Sequence, residues 1–337
     1  MRVVFRQFKK EVFIMITLLT LIAGAELVSS IVNAQTLDTL VNMDIHNFFY
    51  KAICLVIIFA FYLLFTYMLI RYQAYFNQKV ATWLRDRISH SIEATSYGRF
   101  YEKNSQTYIS WFTSDLEQIK GNAMNPTFEV IGGIISAVIS AVALFMYHWS
   151  IVLLAAICIV IMAVLPALFS AELTEKTIKV SEANEKFAKS ISDLLSGYDT
   201  LFVFRKLAYL KEKIHEKSVE VGDTHRDFSK SMAKVAVSGG IGNVFSQISV
   251  FILTGYLAYI GEVSIGSILA AMALSSTIFN VLGNISQKIG SIKSADSLFN
   301  KYEQLEPAAL VEEVPEEAPY TLIEVKDVSF NYGEKVI

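Results

Sequence analysis

The chain has 337 residues, of which 53% are apolar and only 18% charged, whereas a soluble chain carries about 25% charge. Apolar stretches of about 20 residues match the length needed to cross roughly 30 Å of hydrocarbon. With 29 Lys and Arg against 32 Asp and Glu there is no basic surplus, so composition excludes a nucleic-acid partner, an ordinary soluble enzyme and a disordered protein.

Taken in chain order, Arg2, Arg6, Lys9 and Lys10 precede a first expected span at about 12–34, interrupted by Glu26. It is too long for a signal-peptide core and is expected to stay as a helix. A second span follows at about 48–70, crowded with aromatics such as Phe48, Phe49, Phe61 and Tyr62. The next apolar run, 128–171, is too long for one crossing and breaks at Tyr147-His148-Trp149-Ser150. It reads as spans three (128–147) and four (149–171), with Pro166 expected to kink the latter. Spans five and six fall at about 235–260 and 265–287. Cys54 and Cys158 both sit in apolar runs, which suits neither a disulfide nor a thiolate metal site.

The positions of the cations orient the chain. Of the 29 Lys and Arg, 28 lie before span one, between spans two and three, between spans four and five, or after span six. Only Lys51 lies on the other side, where Asp38, Asp44 and Glu262 stand in short connections. By the positive-inside rule both termini are expected in the cytoplasm. The two internal connections are long, poor in Pro and Gly, and helically periodic, as in Ile178, Ala183, Phe187, Ile191 and Leu194. Each is read as a long helix down, a short break and a long helix back, the breaks falling at Ser96-Tyr97-Gly98 and Ser196-Gly197-Tyr198. Residues 1–302 form this six-span unit. An acidic linker with Pro307, Pro315 and Pro319 occupies 303–320. Beyond it, 321–337 reads as the opening strand of a second, soluble domain.

Polar residues inside a bilayer are costly and are the default candidates for a transport path. Glu26, Ser30 and Asn33 share a face of span one, Asn243 and Gln247 mark span five, and Ser276, Asn280 and Asn284 run down span six. Glu26 is open to two readings, a watery cavity or pairing with Lys51. The Gly-rich Gly132-Gly133 and Ser238-Gly239-Gly240-Ile241-Gly242 lack the strand, Lys and Ser/Thr of a phosphate-binding loop. Close helix packing is the better reading of both.

The order and spacing of several segments resemble the membrane half of an ATP-binding cassette exporter of the six-span, type IV kind. Phe100-Tyr101-Glu102-Lys103, running on to Ser114-Asp115-Leu116-Glu117-Gln118-Ile119, is similar to the family's first internal loop, and Ser196-Gly197-Tyr198-Asp199-Thr200-Leu201-Phe202-Val203-Phe204 to its second. Ile265-Gly266-Ser267-Ile268 resembles the opening of its sixth span, and Val328-Ser329-Phe330-Asn331-Tyr332-Gly333 the first strand of its nucleotide-binding domain. The resemblance implies an all-α transmembrane domain, with a β start of the nucleotide-binding domain, in a bacterial plasma membrane. It further implies a homo- or heterodimer with a second half-transporter, in which spans four and five pack on the partner. Coupling helices would lie around Tyr97, Gly98, Phe100 and Tyr101, and around Gly197, Tyr198, Leu201 and Phe204. ATP and Mg would be bound by the complete protein and not by this stretch alone, with Tyr332 stacking on adenine, and the cargo would be a hydrophobic peptide, a lipid or a drug. The competing expectations are an ion-coupled secondary carrier and a structural partner without an engine.

Overall fold

The computed structural model describes residues 2–95, 97–101, 103–303, 331–332 and 335–336. A short α1 (Arg2–Gln7) is followed at Phe8 by α2 (Lys9–Val41). The first outer turn is tighter than the expected 35–47 loop. Met43 takes φ +53° to reverse the chain, and the Asp44 carboxylate accepts from the Asn47 N–H at 3.1 Å to cap α3 (Ile45–Glu93). After α3 come α4 (Tyr97–Tyr101), α5 (Ser105–Phe112), α6 (Ser114–Ile119) and a π-helical turn at Lys120–Met124. Then follow α7 (Asn125–Tyr147), α8 (Trp149–Ser196), α9 (Tyr198–Val203), α10 (Leu207–Tyr259) and α11 (Ser267–Glu303).

Among the described residues, six helical runs are long and apolar enough to cross a membrane, the third of them counted from Ser105 to Tyr147. The chain is therefore an all-α, multi-pass membrane protein. The stalks are as long as expected: α3 has 49 residues, α8 48 and α10 53.

The first return leg departs from expectation. It is not one helix but breaks at Thr113 (φ −122°, ψ −88°) and widens at Lys120–Met124. Pro126 explains the widening. Its ring removes an N–H and would crowd the carbonyl four residues back, and a π turn relieves that crowding. The second return leg, α10, carries no Pro and is continuous. Pro166 leaves α8 unbroken.

Two apolar cores result. One sits where α1, α2 and α3 meet α5–α7 and is built on Phe8, Phe76, Trp111, Ile119 and Phe128. The other joins the outer ends of α7, α8, α10 and α11 through Leu144, Ile151, Val250 and Phe279. The Asp38 carboxylate of α2 accepts the backbone N–H of Gly266, just before α11, at 2.6 Å. A Cβ at Gly266 would run into the Ala34 carbonyl, so only glycine allows this approach.

Of the strand expected towards Gly333, Asn331–Tyr332 is described, paired antiparallel with Lys335–Val336. Apart from Glu303, the acidic linker lies outside the described residues, as does the Tyr332 side chain.

Candidate functional site

The two internal breaks are helical elbows. With 1.5 Å of rise per residue, α3 carries the first about 35 Å past Ile70, and α8 carries the second about 38 Å past Ala171. Both elbows expose aromatic rings: Tyr97 and Tyr101 on α4, Tyr198 and Phe202 on α9, and Phe204 just after it. Tyr97 and Tyr101 lie ring to ring, centroids 4.7 Å apart. Phe100 instead stacks on Tyr108 at 4.7 Å and 10°, and the Tyr108 hydroxyl donates to the Phe100 carbonyl at 3.2 Å. It anchors the elbow to α5 while its neighbours face outward. Gly98 is exposed, and a Cβ added there would meet no neighbouring atom. Gly197 ends α8 with an ordinary φ of −84°. The sharper reversal comes at Arg205, φ +52°, where the Lys206 N–H reaches the half-buried Leu201's carbonyl at 2.8 Å. Sequence reasoning did not single out Arg205, because a left-handed Arg has no signature of its own.

The candidate path residues lie on three helices, and most of their hydrogen bonds run along the helix that carries them. On α2, Ser29 and Ser30 both donate to the Glu26 carbonyl, at 2.8 and 3.0 Å, and Asn33 is exposed. Glu26 meets the Tyr62 hydroxyl of α3. The pairing with Lys51 is not made. Lys51 donates to Gln35 at 2.6 Å, because Glu26 lies nine residues, or about 13 Å, further along α2. On α10, Gln247 donates to Asn243 at 2.6 Å. On α11, Asn280 donates to Ser276 at 3.2 Å and Asn284 to the Asn280 carbonyl at 2.9 Å.

One residue of α11 that the sequence reading did not single out joins this stripe. Lys288, four residues past Asn284, pairs with Glu129 of α7. Asn280, Asn284, Lys288 and Glu129 together line a cavity of about 190 Å³ between α7 and α11. The signal was present in the four-residue step and in a carboxylate at the start of span three, but sequence alone does not bring the two helices together.

The arm formed by α8 and α10 has one tie near the inner face. Lys234 donates to both Glu172 oxygens, at 2.8 and 3.1 Å, and the buried Ser231 hydroxyl donates at 2.8 Å. The Lys234 bond first, then that of Ser231, holds the Glu172 carboxyl below its usual value.

The glycine clusters are packing sites. Gly132 faces Leu19, Gly133 faces Val281, and Gly242 lies against the Met162 backbone at 3.4 Å from a would-be Cβ. Among the described residues, no three metal-ligating side chains converge.

A family model described as ABC transporter transmembrane region matches residues 12–282. No curated protein matches the chain.

Proposed function

The chain belongs to the family of ABC transporter transmembrane regions, and from that premise we propose that it is the membrane-spanning subunit of an ATP-driven exporter. In this reading both termini are cytoplasmic, the membrane is a bacterial plasma membrane, and a second half-transporter completes the path. The observation that carries the reading is the pair of exposed aromatic elbows, each at the end of a long continuous helix, α3 and α8. A stiff rod ending in an exposed aromatic knob transmits a rigid-body movement, whereas a flexible loop would absorb it.

The slender α8–α10 arm supports the dimer. From Ile159 to Lys230 none of its residues is buried, so it gains its remaining packing from another surface, as expected if spans four and five reach over to the partner. Cargo would pass by alternating access along Glu26, Ser30, Asn33, Asn243, Gln247, Ser276, Asn280 and Asn284. The continuous crossings of α2, α3, α8, α10 and α11 do not suggest the midplane breaks of secondary carriers.

The glycine-rich turns of helix at Gly132-Gly133 and Gly242 lie against neighbouring helices, which supports a packing role for them. ATP with magnesium belongs to nucleotide-binding domains docked at Tyr97–Tyr101 and at 197–204, and Tyr332 would contribute there only as an adenine-stacking edge. The test is cargo-stimulated ATPase of the complete, reconstituted protein. Tyr101→Ala and Phe204→Ala should each lower stimulation about tenfold, a coupling loss of about 1.4 kcal/mol. Undiminished stimulation in both would remove the docking role.

A further inference from the structure

The foot of α2 carries a charge cluster that neither the elbows nor the candidate path uses. Arg2, Arg6, Lys9 and Lys10 place four cations within nine residues. The chain bends at Phe8 (φ −113°, ψ 42°), where α1 gives way to α2. Apolar packing fixes this bend. Val4 is buried, Phe5 meets Phe128 of α7 at 6.0 Å, and Phe8 meets Phe76 and Trp83 of α3 edge-on at 6.1 and 5.9 Å. Arg6, Lys9 and Lys10 are exposed. The carboxylate beside them, Glu11, is held by Lys79 of α3 at 2.5 Å. Among the described residues no carboxylate pairs with Arg6, Lys9 or Lys10. The apolar run of α2 starts at Val12, so these free charges stand at the edge of the bilayer.

Directly along the helix from them, α2 is apolar and open. At 3.6 residues per turn, Lys10, Phe13, Ile14, Thr17 and Leu21 fall within about 100° of arc, and all five are exposed. The Thr17 hydroxyl is satisfied by the Phe13 carbonyl at 2.9 Å, so beyond Lys10 this strip presents no unmet polar group. From Lys10 to Leu21 the rise is about 16 Å, close to the depth of one leaflet of a hydrocarbon core roughly 30 Å thick. Glu26 lies nine residues past Thr17, half a turn round the helix, so the strip faces away from the candidate path.

We infer that this face of α2 binds an anionic phospholipid of the inner leaflet as a boundary partner, its headgroup on Arg6, Lys9 and Lys10 and an acyl chain along Phe13, Ile14 and Leu21. Charge at one end and a leaflet's depth of exposed apolar surface above it complement such a lipid. A basic cluster beside a membrane helix attracts anionic headgroups, whereas a zwitterionic one brings an ammonium that offsets its phosphate. The inference goes beyond the exporter reading and takes from it only the side of the membrane on which α1 lies.

The test is photolabelling of the full-length protein, reconstituted without nucleotide in phosphatidylcholine vesicles. The probe is a trace of phosphatidylglycerol with a diazirine in its acyl chain. Labels should map to 13–21 of α2, and the same diazirine on phosphatidylcholine should label that stretch roughly fivefold less. Arg6→Gln, Lys9→Gln and Lys10→Gln should each lower phosphatidylglycerol labelling about fivefold, Lys9→Arg should keep it, and Lys213→Gln on the α8–α10 arm should leave it unchanged. Labelling should also weaken as added salt screens the charges. The three cations are exposed, so the variants should melt as the wild type does, which ties a lost label to lost charge. Equal labelling by the two lipids, wild-type labelling of all three Gln variants, or labels confined to other helices would overturn the inference. Displacement of the label by soluble glycerol phosphate would overturn it as well, by showing a free-anion site instead of a lipid face. The readout needs neither ATP nor cargo, so it stands or falls apart from the elbow test.

Discussion

The junction of α1–α3 with α5–α7 and the arm of α8 with α10 use the same helical material in opposite ways. At the junction, the short α1, α5 and α6 pack around buried rings against the long α2 and α3. Phe76 meets Phe8 and Phe128 edge-on at 6.1 and 5.3 Å, and Trp111 is 1% exposed. In the arm the helices are long and uninterrupted, yet between Ile159 and Lys230 they bury nothing and carry exposed i,i+3 and i,i+4 ion pairs such as Lys179–Glu175 and Lys213–Glu216. Such pairs contribute little. The difference separates a region that buries its own apolar side chains from one that leaves them exposed.

Substitutions should separate the two regions, beginning with the largest effect. Trp111→Ala at the junction should cost about 3–5 kcal/mol, read as a drop in thermal unfolding temperature in detergent, while Phe202→Ala at the arm's tip should stay within about 0.5 kcal/mol. If the two cost the same, the contrast is wrong. Next, Gly242→Leu would wedge α10 off the Met162 backbone and should cost about 1–3 kcal/mol. Because it acts within the arm, disulfide trapping between α8 and α10 should weaken with it. Ser231→Ala removes the arm's buried tie to Glu172 and should cost about 1 kcal/mol, with no change at the junction.

The smallest effect concerns pH. The Lys79 bond, 2.5 Å long, lowers the Glu11 carboxyl and raises the Lys79 ammonium above their usual values. A lowered carboxyl contributes above its unfolded value and loses that contribution as pH falls through the folded one. A raised ammonium contributes below its unfolded value and loses it as pH rises past the folded one. The pair should therefore support the α2–α3 contact across neutral pH and release it below about pH 4 and above about pH 10. Glu11→Gln should flatten both limbs of a melting-temperature profile, and an unchanged profile would show that the pair adds nothing.

The crossings and stalks were legible because charge and hydropathy are properties of single segments. The six runs and the one-sided distribution of 28 cations between them needed no knowledge of neighbours. The broken return leg was legible only in part, since Pro126 signals a disturbance but the turn at Thr113 depends on Trp111 and Leu116 reaching the junction core. Of the candidate site, the elbows were marked by their short breaks in helical pattern. The two readings of Glu26 stayed open because the level of Lys51 along α2, where it meets Gln35, depends on the tight turn at Met43. Glu129 and Lys288 were missed for a related reason: each is an ordinary charged residue until a distant helix is laid against it, and the two stand 159 positions apart.

The clasp between Asp38 and the Gly266 N–H joins positions 228 residues apart. During synthesis at the ribosome it cannot close until the loop before the last crossing has emerged and been threaded across. The first hairpin must therefore wait in the bilayer with an Asp at its outer rim, and the arrival of the final helix seals the bundle.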